Sequence, residues 1–136
     1  MSRVNCAVLA FAFLVAVTFL ACGDDPTPPE PVPGDLMVSI VSPNGLEGAA
    51  VLQTADEGIA AVTAEGAQAF HWRAAGLSRV VILLDQAGDV RITVSVADQN
   101  NPPRLQIAEV AGPDNRLRTD LAGYAVTAEP VTGARP

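Results

Sequence analysis

Val90, Ile92, Val94 and Val96 alternate with Arg91, Thr93, Ser95 and Ala97, and a strict period of two is the mark of a strand that buries one face. A helix would throw those four apolar side chains to both sides of its axis. Just upstream, 79–84 contains the continuous run Val80-Val81-Ile82-Leu83-Leu84 and ends at Asp85-Gln86-Ala87-Gly88-Asp89, which reads as a turn. The two segments are expected to pair as a hairpin, the clearest in the chain.

Short β-favouring runs recur on either side. Residues 36–41 form the first, closed by Ser42-Pro43-Asn44-Gly45, where Pro fits the first corner of a turn and Gly accepts positive φ. Candidates at 49–53, 59–63 and 67–72 follow, and after the polar loop 98–103 a strand resumes through Leu105, Ile107 and Val110. Residues 124–128 make the last. No long amphipathic helical window occurs from Leu36 onward, since the Ala-rich stretch 56–68 is broken by Gly58 and Gly66. Some seven or eight short strands predict an all-β fold, a small antiparallel β-sandwich of immunoglobulin-like or cohesin-like kind. The Cys-Trp-Cys pattern of true immunoglobulin domains is missing.

The N-terminus has a different character. After Arg3, residues 7–21 are apolar except for Thr18, which is the pattern of a secretory signal. It ends in Phe19-Leu20-Ala21-Cys22. This resembles the lipobox of bacterial lipoproteins, with Phe19 where the family usually has Leu. The resemblance implies cleavage before Cys22, a thioether-linked diacylglycerol on its sulfur and an acyl chain on its new amino group. Two or three buried chains make a lasting anchor where one would be marginal. Gly23, in place of the Asp that marks inner-membrane retention, implies the outer membrane in a Gram-negative cell. Two alternatives stand beside this reading: a soluble secreted product, disfavoured because Phe19 is bulky for the ordinary peptidase, and an uncleaved anchor over 4–21, at the lower edge of a bilayer-spanning length.

The expected organisation is therefore a signal peptide at 1–21, a lipidated N-terminus and proline-rich linker at 22–34, a β-sandwich domain at 35–129 and a C-terminal tail at 130–136. Pro26, Pro28, Pro29, Pro31 and Pro33 favour extended polyproline II over the linker, which spans about 35–40 Å at roughly 3.1 Å per residue. The first strand, its turn and the following Glu47-Gly48-Ala49-Ala50-Val51-Leu52 resemble small uncharacterised bacterial surface lipoproteins, a likeness that implies no reaction.

Charge and cysteine content narrow the function. All 15 acidic residues follow Cys22, against seven Arg and no Lys once Arg3 is removed, so the mature chain carries about −8. That excludes the basic footprint of nucleic-acid binding and a polybasic grip on anionic lipid. Cys6 lies in the signal and Cys22 is the lipidation candidate, so disulfides and thiolate metal sites are excluded from the domain.

His71 is the only histidine, in Phe70-His71-Trp72-Arg73. Strand alternation puts Phe70 and Trp72 on one face and His71 and Arg73 on the other, with the aromatics expected in or near the core. The functional alternative is a binding patch of His71, Trp72 and Arg73, residue types suited to sugars or peptides. Asp85, Asp89, Asp98, Asn100 and Asn101 are oxygen donors from which a calcium site would be built, but none matches a calcium-loop spacing and turn chemistry explains them. Ser39, Ser42, Ser78 and Ser95 lie outside any G-x-S-x-G. The expectation is a lipid-anchored extracytoplasmic module of the bacterial envelope that is not an enzyme. It would need no metal or cofactor, be held to the membrane by its N-terminal lipid, and contact an envelope protein or glycan. The alternatives are a structural envelope lipoprotein without a specific ligand, and a small hydrolytic enzyme.

Overall fold

The computed structural model describes residues 27–55 and 57–132. The lipobox-like stretch with Cys22 and the tail beyond Thr132 lie outside the described residues. Eight strands follow in order: β1 (Gly34–Val41), β2 (Glu47–Thr54), β3 (Ile59–Thr63), β4 (Ala67–Ala74), β5 (Leu77–Gly88), β6 (Val90–Val96), β7 (Gln106–Ala111) and β8 (Ala125–Pro130). They build two four-stranded antiparallel sheets, β3-β6-β1-β8 and β4-β5-β2-β7, packed face to face as a small β-sandwich.

The core comes directly from the alternation. Leu36, Val38 and Ile40 of β1 and Val90, Ile92, Val94 and Val96 of β6 point inward from one sheet. Ala50 and Leu52 of β2, Val80 and Ile82 of β5 and Val110 of β7 meet them from the other. Each fully buried Val, Leu or Ile contributes about 1.5–3 kcal/mol relative to exposure, and with no cysteine among the described residues this packing carries the fold. The unbroken run Val80–Leu84 is only half core: Val80 and Ile82 are buried, whereas Val81 and Leu83 stand on the outer face.

The expected hairpin of 79–84 with 90–96 does not form. Asp85–Gly88 continue β5, and the chain passes at Asp89 into the opposite sheet, where β6 pairs with β1 and β3. The actual hairpin joins β4 to β5, with Ala74 opposite Leu77 across the two-residue turn Ala75-Gly76. Both turn residues have positive φ, 52° and 75°. That is the type I′ geometry that matches strand twist, usually signalled by Asn-Gly or Asp-Gly, and the sequence Ala-Gly hides it. Every other connection crosses between the sheets.

The domain takes hold of the chain earlier than position 35. Val32 donates its N–H to Asp98 Oδ1 at 3.1 Å and accepts the N–H of Gln99 at 2.7 Å. At the other end β8 runs through Pro130, and Val131 donates to the carbonyl of Asp35 at 2.9 Å, so the first residues of the expected tail belong to the sheet.

Candidate functional site

The two sheets differ on their outer faces. Beyond β1, β6 and β8 lie Asp35, Ser39, Arg91, Thr93, Ser95, Thr127 and Glu129, a mainly polar surface in which Met37 and Val41 are the exposed apolar residues of β1 and Ser95 donates to Asp35 Oδ1 at 2.6 Å. Across the sandwich the register of β4, β5 and β2 places Phe70, Val81 and Val51 in one row, with Leu83 and Ala49 in the next. Phe70 is 51 % exposed, Trp72 44 % and Leu83 43 %. Trp72 lies opposite Arg79, and Gln68 and Gln53 border the apolar rows. Contiguous aromatic and aliphatic surface with a cation beside an indole and amides at its rim is the composition of a contact surface.

This reverses the expected facing of the 70–73 strand. Phe70 and Trp72 point outward, while His71 and Arg73 turn toward the opposite sheet. The reason lies in the hairpin register: His71 stands opposite buried Val80 and Arg73 opposite buried Ser78, so the odd-numbered residues of β4 share the core face. At the sandwich margin that face needs polar partners, and Arg73 supplies them by reaching across to β3. Its Nη2 donates to the carbonyls of Glu57 and of Ile59, the latter at 3.0 Å, closing the gap between the sheets. The candidate patch His71, Trp72, Arg73 is thus divided: Trp72 belongs to the outer surface, His71 and Arg73 to the seam.

The seam brings a serine and the histidine together. Arg73 Nε donates to Ser78 Oγ at 3.2 Å, and His71 Nε2 lies 3.5 Å from the same oxygen. Arg73 takes one lone pair of the Ser78 oxygen, which leaves a second lone pair and the hydroxyl proton for the imidazole, so the direction of the His71 contact is set by its tautomer. Burial, reinforced by the Arg73 charge, holds the His71 pKa below its usual value, so the ring is neutral at pH 7. Ser78 is only 2 % exposed, and among the described residues no carboxylate bonds the imidazole. The pair lacks both the access and the orienting acid of a nucleophilic site.

A second polar cluster, invisible in the sequence, lies at one end of the sandwich. Glu47, 1 % exposed, accepts the Ser42 hydroxyl at 2.6 Å and the Tyr124 hydroxyl on Oε1, and a two-pronged Arg118 on Oε2, from Nε at 3.0 Å and Nη2 at 2.9 Å. Asn44 extends it, donating Nδ2 to the Tyr124 oxygen at 3.0 Å and its backbone N–H to Ser42 Oγ. Burial, the largest single influence, pushes the Glu47 carboxyl up, but the Ser42, Tyr124 and Arg118 hydrogen bonds and the Arg118 charge together hold it below the ordinary carboxylate value. Gly48 permits this approach: a Cβ there would lie 2.7 Å from the Gly112 carbonyl oxygen, so the turn carrying Arg118 can seat only against a glycine. With every acceptor position engaged, Glu47 fastens the β7–β8 connection to the β1–β2 turn and has no free oxygen for a ligand.

The acids considered for calcium do not converge. Asp89 and Asp98 flank opposite ends of β6; Asp89 is near Arg91 at 3.7 Å, whereas Asp98 Oδ1 accepts the backbone N–H groups of Val32 and Asn100. An open cleft of about 540 Å³ lies beside Asp98, lined also by Glu57, Pro102, Pro103 and Arg104. Comparison with protein-family models, curated proteins and solved structures finds no match.

Proposed function

We propose that this chain is a lipid-anchored, extracytoplasmic binding module of the bacterial envelope, non-catalytic, whose contact surface is the outer face of β4, β5 and β2. The observation that carries the binding role is the asymmetry of the sandwich. Phe70, Trp72, Val81, Leu83 and Val51 gather on one face, both aromatics among them, while the opposite face is mainly polar with Met37 and Val41 as its exposed apolar side chains. Water disfavours such apolar surface, and since core packing does not require apolar residues at these outward positions, the face fits a partner that covers it. Trp72 beside Arg79, rimmed by glutamines, suits an envelope protein or a glycan. The anchor rests on Phe19-Leu20-Ala21-Cys22 and the proline-rich linker. The Ser78–His71 pair supports a non-catalytic reading, since its hydroxyl is buried and engaged.

Two measurements test the halves separately. Intact mass and membrane partition of the expressed chain should show a form beginning at Cys22 with added acyl mass, lost in Cys22→Ala; an unmodified chain retaining residues 1–21 refutes the anchor. A photo-crosslinking residue at Leu83 should give adducts with an envelope component that one at Thr127, on the polar face, does not. Equal or absent adducts at both positions leave a structural envelope lipoprotein without a ligand.

A further inference from the structure

We infer that the edge of β4, which has no partner strand among the described residues, is a strand-pairing interface that takes a second copy of this chain, in antiparallel register about Phe70. This goes beyond the binding role, since it concerns the backbone edge and not what the outer face recognises.

A sandwich has four edge strands, and each presents unpaired backbone groups that natural sheets blunt by shortness, bulges, proline or charge. Three edges here are blunted. β3 is five residues long and its pairing shifts register between Ile59 and Ala61. β7 carries Glu109 and a register shift against β2, and β8 ends in Glu129-Pro130. β4 has the fewest of these devices: its single charge is Arg73, whose guanidinium is drawn away to the carbonyls of Glu57 and Ile59. It is eight residues long, pairs with β5 without a break, and contains no proline and no acid.

The direction of its open hydrogen bonds follows from the hairpin. Across a two-residue turn Ala74 and Leu77 form the hydrogen-bonded pair, so the even-numbered residues of β4 spend their backbone groups on β5. The bond from Asp85 N–H to the Gly66 carbonyl, 3.0 Å, continues the same phase. The N–H and C=O groups of Ala67, Ala69, His71 and Arg73 therefore face outward along the edge. An antiparallel strand paired with its own copy satisfies them by symmetry, Ala67 with Arg73 and Ala69 with His71, for about eight ladder hydrogen bonds.

That register uses the full strand and is compatible in charge and side chain. Phe70 meets Phe70 of the second copy as a closely spaced, non-hydrogen-bonded pair on the outer face, flanked on each side by Trp72 opposite Gln68. Arg73, the one charge in β4, faces Ala67 of the second copy and never meets itself, so no like charges stand opposite one another. Shifting the centre to His71 would instead stack two imidazoles. A single edge pairing lies at the low end of specific interface areas, about 1,200 Å², so the dimer is expected to dissociate on dilution and to gain from confinement to a surface.

The test is cysteine crosslinking in the full chain, read against the background from Cys6 and Cys22 in the wild type. Under mild oxidation Phe70→Cys should give a disulfide dimer at several times the yield of the wild type and of Gln53→Cys, which shares the face but sits on the interior strand β2. Register is read by mixing: Gln68→Cys with Trp72→Cys should crosslink more than either alone. Phe70→Cys at the background yield, or a mixed pair no better than its components, overturns the proposal. Monomeric behaviour with intact Leu83 adducts would overturn the pairing and leave the binding module standing.

Discussion

Glu47→Ala is the substitution that should damage the domain most for its size. It removes the acceptor of four donors at once: the hydroxyls of Ser42 and Tyr124 and both prongs of Arg118. Removing one partner of a buried ion pair costs about 3–5 kcal/mol, because the groups left behind lose their compensation. Arg118 and Tyr124 lie near the surface and regain water, which places the expected cost near the lower end, about 3 kcal/mol. For a domain of this size each kcal/mol shifts Tm by roughly 4–8 °C, so a fall of about 12–24 °C is expected by circular dichroism or scanning calorimetry. The pH dependence gives a second reading. A carboxyl whose folded pKa is depressed stabilises the fold above its unfolded value, 4.5, and that stability is lost as pH falls through the folded pKa. Wild type should therefore lose stability below about pH 4.5 more steeply than Glu47→Gln. A Glu47→Ala protein melting within about 2 °C of wild type would refute the clasp and show that the β7–β8 connection is held by its backbone alone.

Other predictions follow the same geometry. His71 is held neutral by burial and Arg73, so its contribution is present above the unfolded pKa of 6.5 and lost as pH falls below it; His71→Gln should flatten the Tm profile on the acid side of pH 6.5. Ala75 occupies the left-handed region at φ 52°, which costs an alanine about 1–2 kcal/mol, so Ala75→Gly should raise denaturant stability by about 0.5–1 kcal/mol once the roughly 0.5–1 kcal/mol of added chain entropy is subtracted. Ile82, fully buried at the centre of β5, should cost about 3–4 kcal/mol on truncation to Ala, whereas Leu83→Ala on the outer face should cost under about 1 kcal/mol; equal losses would contradict the facing of β5.

The sandwich was legible because period-two hydrophobicity and turn residues are local, and the strands lie where those signals fall. Partnership between strands was not. Asp85-Gln86-Ala87-Gly88-Asp89 has the composition of a turn, yet the chain only bends there from one sheet to the other, while the true hairpin turn is the less conspicuous Ala75-Gly76. The faces of 70–73 were misread for a related reason: aromatic residues are usually buried, and only the pairing of His71 with Val80 fixes which side is inside. Glu47 reads in sequence as a solvated acid beside glycines. Its partners Arg118 and Tyr124 lie 71 and 77 positions away, and no short-range spacing announces them.

The crossing connections also govern when the molecule can come into being. β1 acquires its neighbours only from Val90–Val96 and Ala125–Pro130, with four or more strands made in between, and β2 waits for β5 and β7. Such distant pairing places folding on the slow, millisecond-to-second side of small-domain behaviour. A nascent polypeptide of this topology cannot close its first sheet until β8 has been made, and until then the first strand has an open side.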